Sequence, residues 1–408
     1  MQDSDLLSPD VFRDQRHHEV FEYLREHDPV HWHTDSAGVG FWCLTKHADV
    51  QMASREPETF VSGAGFTLVD IDPENLQGMM MQQMLPGMDR PQHTRHRRIV
   101  SRGFSPRTLR MIEDHLALKA KTIVDRVVGR GSCDFVTDIA AELPLQAIAE
   151  LVGVPEEDRR KIFEWGNAMT GIDDPEFGGG REANHAAVEM MAYADELRRS
   201  REAHPRDDII TTLTGATDGA DGLSDAELAV FFILLVVAGN ETTRNATAHG
   251  MRALIEHPAA LERLQADLTP DRIGRAVEEI LRWASPILYF RRTATRDVEL
   301  RGQTIRAGDR VVLWYASANR DAEVFTDPFQ FDPDRAPNDH VTFGGGGPHF
   351  CLGANLARME LRLIFTELIT RLRGVEFDGQ VEMLRSNFVG SIKHMPVRWD
   401  PDKALASP

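Results

Sequence analysis

The sequence predicts a mainly α protein with small β-sheets. Three observations carry that prediction. Ser224-Asp225-Ala226-Glu227 is a capping box, and an apolar stretch follows it, giving a helix to about His257. Helical periodicity dominates from Gln92 to about Ile209. Alternating, turn-punctuated segments are short and confined to the regions after His31 and after Pro286.

Taken in order, residues 12 to about 30 read as a helix, with Val20, Phe21 and Leu24 apolar. Residues 31–45 read as a hairpin, and the next segment as a helix, so a small β region spans about 30–60. Residues 61–90 read as a loop carrying Met79, Met80, Met81, Met84 and Met88. Methionine adapts to irregular apolar gaps, so this stretch could be core filling or a lid over an apolar ligand. The helical core covers about 92–283, with breaks expected at Gly103–Pro106, Gly129–Asp134 and Leu143–Pro144 and a polar connection over 173–184. The centre of the helix after Ser224 is apolar all round, so burial on every side is expected. A helix from Pro270 to Trp283 follows, and then a β and loop region over about 285–400. Within that region the last helix runs from about Ala354 to Leu372. No repeat or linker divides the 408 residues, so one domain is expected.

Composition narrows the function. Forty-six Lys and Arg against 64 Asp and Glu give a net charge of −18, which disfavours nucleic acid as the main partner. Three cysteines, Cys43, Cys133 and Cys351, cannot form a disulfide framework and fit a reducing compartment. The acidic N-terminus has no apolar targeting core, and the longest apolar run, Leu228 to Ala238, is too short for a bilayer. A cytoplasmic location is the expectation.

The sharpest motif is Phe343-Gly-Gly-Gly-Gly-Pro-His349-Phe-Cys351-Leu-Gly353. Glycine lets backbone approach a flat group closely. A cysteine just before a helix has its thiolate favoured. One cysteine is a poor zinc site, and no Gly-Lys-Ser/Thr follows for a phosphate loop. A single thiolate on a heme iron satisfies all of this.

With these residues the chain resembles the cytochrome P450 family of heme-thiolate monooxygenases. Phe343, Gly345, Gly347, His349, Cys351 and Gly353 match its signature, with Phe343 one position further from the cysteine than in the commonest form. The resemblance implies the P450 fold, with heme between a long central helix and the Cys-loop helix. It implies noncovalent heme b, Cys351 as the metal ligand, and Phe343 and Gly353 beside the cofactor. His93 and Arg97, which share a helix face, would bind the propionates with Arg292 and His349. Glu279, Arg282 and Arg335 would form a buried structural network. Ala238-Gly-Asn-Glu241-Thr242-Thr243 would be the oxygen groove, with Thr242 hydrogen-bonding dioxygen and Glu241 relaying protons.

The implied reaction inserts one oxygen atom of O2 into a hydrophobic substrate, a fatty acid, steroid or terpenoid. The tail SNFVGSIKHMPVRW is similar to that of bacterial members acting on such compounds. The candidate pocket residues are Met84, Met88, Leu234, Val237, Ala238, Leu288 and Val389. No flavin or iron–sulfur motif is present, so a separate ferredoxin and NAD(P)H-dependent reductase are implied. Arg107, Arg110, Arg358 and Arg362 are either their dock or ordinary solvated charges. Two alternatives share these residues: a tailoring enzyme of natural-product biosynthesis, and a heme sensor or carrier without turnover. A cysteine hydrolase using Cys351 lacks an oriented histidine and Asn/Asp.

Overall fold

The computed structural model describes residues 5–34, 40–68, 76–214 and 222–404. Its centre is the helix Asp225–Glu256. Ser224 Oγ accepts from Glu227 N, and the Glu227 side chain accepts from Ser224 N, closing the capping box. Around this helix pack Glu142–Val152, Arg159–Thr170, Gly180–Ala203, Pro270–Ala284 and Ala354–Arg371. Pro106–Val128 lies against Ala354–Arg371. The largest apolar core fills the space between them, with Phe232, Leu254, Ile280 and Phe365 fully buried.

The β structure consists of small sheets of short strands, as expected. A five-stranded sheet runs in the order Val30–Thr34, Gly40–Leu44, Arg310–Trp314, Tyr289–Ala294, Phe60–Val61. Only the pairing of Gly40–Leu44 with Arg310–Trp314 is parallel. A second sheet joins Ser132–Asp134, Pro396–Arg398 and Glu376–Phe377, which ties the tail to the helical core.

Four local expectations change. The first helical stretch is two helices, Pro9–Arg13 and His17–His27, because Gln15 between them takes a φ of 58°. Leu143-Pro144 does not break the chain. It lies in the first turn of Glu142–Val152, where a missing N–H removes no helical bond. The methionine stretch contains the helix Leu76–Gln83, while residues 69–75 lie outside the described ones. Finally, the central helix is not buried all round. Leu234, Val237 and Thr242 are half-buried and Ala238 is exposed, and these positions share one helix face. Among the described helices Asp225–Glu256 alone is long and apolar enough to cross a bilayer, and most of it is buried in protein.

Candidate functional site

Cys351 is the exposed cysteine of the three, standing just before the N-cap Gly353 of Ala354–Arg371. Burial amid the surrounding protein pushes its thiol up. The backbone N–H groups of Gly353 and Ala354 and the charges of Arg97 and Arg358 oppose that. A helix N-terminus and two cations are the surroundings that favour a thiolate. Cys43 and Cys133 differ, since burial pushes both up to about 12 with little to offset it.

The glycine run has a second duty that its sequence does not advertise. A Cβ at Gly347 would stand 2.2 Å from the Ser54 carbonyl oxygen, and one at Gly345 2.7 Å from Ser54 Oγ. Gly347 also takes a φ of 74°. These glycines therefore also let the loop press on the helix His47–Arg55.

Cys351 N donates to the Phe343 carbonyl at 2.8 Å, closing the loop on itself. The Phe343 ring lies under the Arg358 guanidinium at 4.6 Å. Arg358 in turn bonds both oxygens of Glu278, at 2.7 and 2.8 Å. Arg358 is thus engaged within the molecule, and of the four arginines considered for docking only Arg107 and Arg110 are exposed.

The brace behind this loop is extensive. Arg282 and Glu279 are wholly buried and joined by two 2.8 Å bonds. Arg335 Nε adds a 3.1 Å bond to Glu279, and Asp332 N and Asn338 Nδ2 also donate to that carboxylate. Arg282 further donates to the carbonyls of Asn319 and Pro328. Asn319, which sequence reasoning missed, carries the brace to the loop: Val341 N donates to its Oδ1, and its Nδ2 reaches Ser285 and Thr342.

His93, Arg97, Arg292 and His349 gather near Cys351. The rings of His93 and His349 are 4.3 Å apart. Burial, then the charges of Arg97 and Arg292 among others, holds His93 down to about 4 and His349 to about 2. Burial also lowers Arg292, which lies 4% exposed under Phe290 and donates to its neighbour's carbonyl at 2.7 Å. His93 Nε2 is buried with no protein partner. None of the four groups has a carboxylate partner among the described residues. Two arginine cations and two neutral imidazoles with no carboxylate partner are suited to an anionic guest. A heme fits this donor set: one thiolate for iron and several donors for two propionates.

On the central helix, Thr242 Oγ1 donates to the Ala238 carbonyl at 2.6 Å, which leaves its lone pairs free on the open face. Glu241 is 2% exposed and ion-paired with Arg244, which also donates to Asn167 Oδ1 at 2.7 Å. Burial pushes the Glu241 carboxyl up, with Arg244 opposing. Glu241 Oε1 and both polar atoms of the Asn240 side chain have no protein partner.

The expected pocket residues divide. Leu234, Val237 and Ala238 share the open stripe with Thr242. Met84 is half-buried against the main core, and Met88 is 2% exposed. Leu288 and Val389 are 3% and 5% exposed and line a separate small cavity with Phe12, His17 and His249. The backbone bridges Ile287 to Val389 there, and Leu288 packs in the apolar cluster that holds Phe12 and Trp314. Phe290, which sequence reasoning passed over, is half-buried between Phe66 and Phe388.

The fold and the cysteine site define a heme-thiolate oxygenase. The family model for cytochrome P450 matches residues 180–392, and the chain belongs to the cytochrome P450 family. It is 42% identical to a steroid C26-monooxygenase of Rhodococcus jostii, covering 96% of this chain and 84% of that one. It is 43% identical to a methyl-branched lipid omega-hydroxylase of Mycobacterium tuberculosis, covering 93% and 90%. A Mycobacterium marinum cytochrome P450 solved with pseudoionone superposes with a TM-score of 0.90 at 40% identity, covering 97% and 98%. The chain is therefore a P450 monooxygenase. It uses heme with an axial cysteine thiolate, O2, and electrons that originate in NAD(P)H. Redox partners and hydrophobic substrates are general to the family.

Proposed function

We propose that this monooxygenase hydroxylates branched alkyl chains of lipids or steroids, with Cys351 as the axial ligand. The observation that carries the ligand assignment is the exposed Cys351 at a helix N-terminus, beside four donor groups that lack carboxylate partners. The substrate class rests on the apolar stripe of Leu234, Val237 and Ala238 and on the names of the steroid and methyl-branched lipid relatives.

Each residue then has a task. His93, Arg97, Arg292 and His349 would hold the propionates. The heme, once bound, supplies the O2 and C–H chemistry, and the protein supplies binding, orientation and protons. The apolar stripe holds the alkyl chain and excludes water. Thr242 offers a hydrogen-bond acceptor on the open face. Glu241 would relay protons: burial disfavours its charge, Arg244 opposes that, and the Arg244 link restrains its position. Arg107, Arg110 and the half-buried Arg362 form the dock for a ferredoxin, itself served by a reductase, in the cytoplasm.

The test is the optical spectrum of the dithionite-reduced protein with carbon monoxide. A strongly red-shifted Soret band is expected for wild type and its loss for Cys351→His. Retention of the band in Cys351→His overturns the ligand assignment. Titration with a steroid bearing a branched side chain and with a methyl-branched fatty acid should give a spin shift. Failure of both, with a shift for an aromatic compound of similar size, overturns the substrate class.

A further inference from the structure

A second polar cavity, distinct from the cysteine site, lies where the N-terminal helices, the central helix and the C-terminal loop meet. Its volume is about 30 Å³. Its polar lining is His17, His18, His249, Arg320, Gln15 and three serines, with no carboxylate.

Arg320 is the anomaly. It is 5% exposed and has no ion-pair partner among the described residues. One guanidinium nitrogen donates to the Trp283 carbonyl at 2.9 Å, and the cation lies 5.1 Å from the Trp283 ring centre. Its other terminal nitrogen, Nη1, is buried with no protein partner. The surrounding charge makes this worse. Burial and then the neighbouring Arg282 and Arg25 act against its charge, to about 9, and the one acid that helps, Glu279, is already committed to Arg282 and Arg335. Buried charges are normally paired, because an unpaired one forfeits its hydration.

The rings of His17 and His18 lie 4.1 Å apart, tilted at 42°, and the Nδ1 of each is also buried without a protein partner. His249 contributes a third imidazole, anchored by its Nε2 to the Gly390 carbonyl at 3.1 Å. A cavity with a fixed cation, inward imidazole nitrogens and no acid is shaped for an anion. That volume is enough for a small ion, since about 10–15 Å³ of such space already holds a water molecule.

We propose that this cavity is a binding site for a single halide-sized anion, held by Arg320 and His18, which ties the N-terminal helices to the C-terminal loop. Water alone would satisfy the hydrogen bonds but leave the Arg320 charge unbalanced. The anion supplies both. Gln15 sits at this junction as well: it bonds Met383 and accepts from Arg252, so the same seam joins the three chain segments.

The test uses the heme-loaded protein. Thermal unfolding is compared in sodium bromide and sodium gluconate at equal ionic strength. A rise of about 2 °C or more in bromide is expected at saturation. Crystals soaked in bromide should show an anomalous peak between Arg320 and His18. Arg320→Met should abolish both the peak and the bromide-specific gain. If Arg320→Met does not fold, His18→Phe serves, and it should at least halve the gain. Equal unfolding temperatures with only water in the cavity overturn the proposal. So does bromide found only at the surface, as an adventitious ion, or a bromide gain that survives both substitutions.

Discussion

The two walls of the cysteine site handle polar groups in opposite ways. Behind the Cys loop, Glu279 accepts from Arg282, Arg335, Asp332 N and Asn338, and Arg282 donates outward to further carbonyls. Across the site, Asn240, Glu241 and Arg244 each keep at least one buried polar atom without a protein partner. A complete buried network is rigid, and an incomplete one has capacity left for reactants. The first wall is built to hold a loop still, and the second to exchange hydrogen bonds.

That contrast breaks first at the brace. Replacing Glu279 by Ala leaves the buried Arg282 guanidinium without its carboxylate and unties the half-buried Arg335, a loss of about 3–5 kcal/mol. The expected outcome is little folded heme-loaded protein, read by thermal unfolding and by heme content. A Glu279→Ala protein as stable as wild type would mean the brace is ornamental.

On the open wall the expected effect falls on rate. Glu241→Gln should slow product formation by about 100-fold or more, the usual scale for losing a positioned acid–base group. The carbon monoxide spectrum should be unchanged, and the loss of stability should stay near 1 kcal/mol because the amide still accepts from Arg244. If stability and rate fall together, Glu241 belongs to the structure and the two walls are not different in kind. Thr242→Val sharpens the same point: it should lower product formed per electron consumed without altering heme binding, measured as product against NAD(P)H oxidised.

A smaller effect concerns the electron entry face. Arg107→Glu with Arg110→Glu should slow reduction by a ferredoxin several-fold at low salt and leave it nearly unchanged at high salt. Arg358→Glu is a poor probe of docking, because that side chain is committed to Glu278 and Phe343.

Much of this was legible in the sequence, for identifiable reasons. The capping box at Ser224 and the apolar run after it specify the central helix by local chemistry alone. The short strands after Pro286 and the hairpin before Thr45 follow from alternation and turn residues. Cys351 stands out because a lone cysteine in a glycine run has few other uses. What stayed hidden depends on contacts between distant segments. Nothing near Asn319 shows that its amide links Glu279's network to Val341. Nothing near Gly347 shows that Ser54 presses on it. Leu288 and Val389 are apolar in any reading. Only the folded chain brings them to one small cavity with His17 and His249 instead of to the open stripe.

The smallest effect tests the outer edge of the brace, where it meets solvent. Burial would raise the Glu278 carboxyl, but hydrogen bonds from His340 and Arg358 win and hold it down to about 2. An ordinary glutamate titrates near 4.3. A carboxylate depressed on folding contributes stability that is full above the unfolded value and is lost as pH falls through the folded one. Glu278→Gln should therefore lower stability by about 1 kcal/mol at pH 6, since the pair is partly exposed. The gap to wild type should narrow between about pH 4.3 and 2, read from urea midpoints at each pH. A gap that is flat over this range would mean the Glu278–Arg358 pair holds by shape and not by charge. The loop's support would then end at the buried Glu279 network.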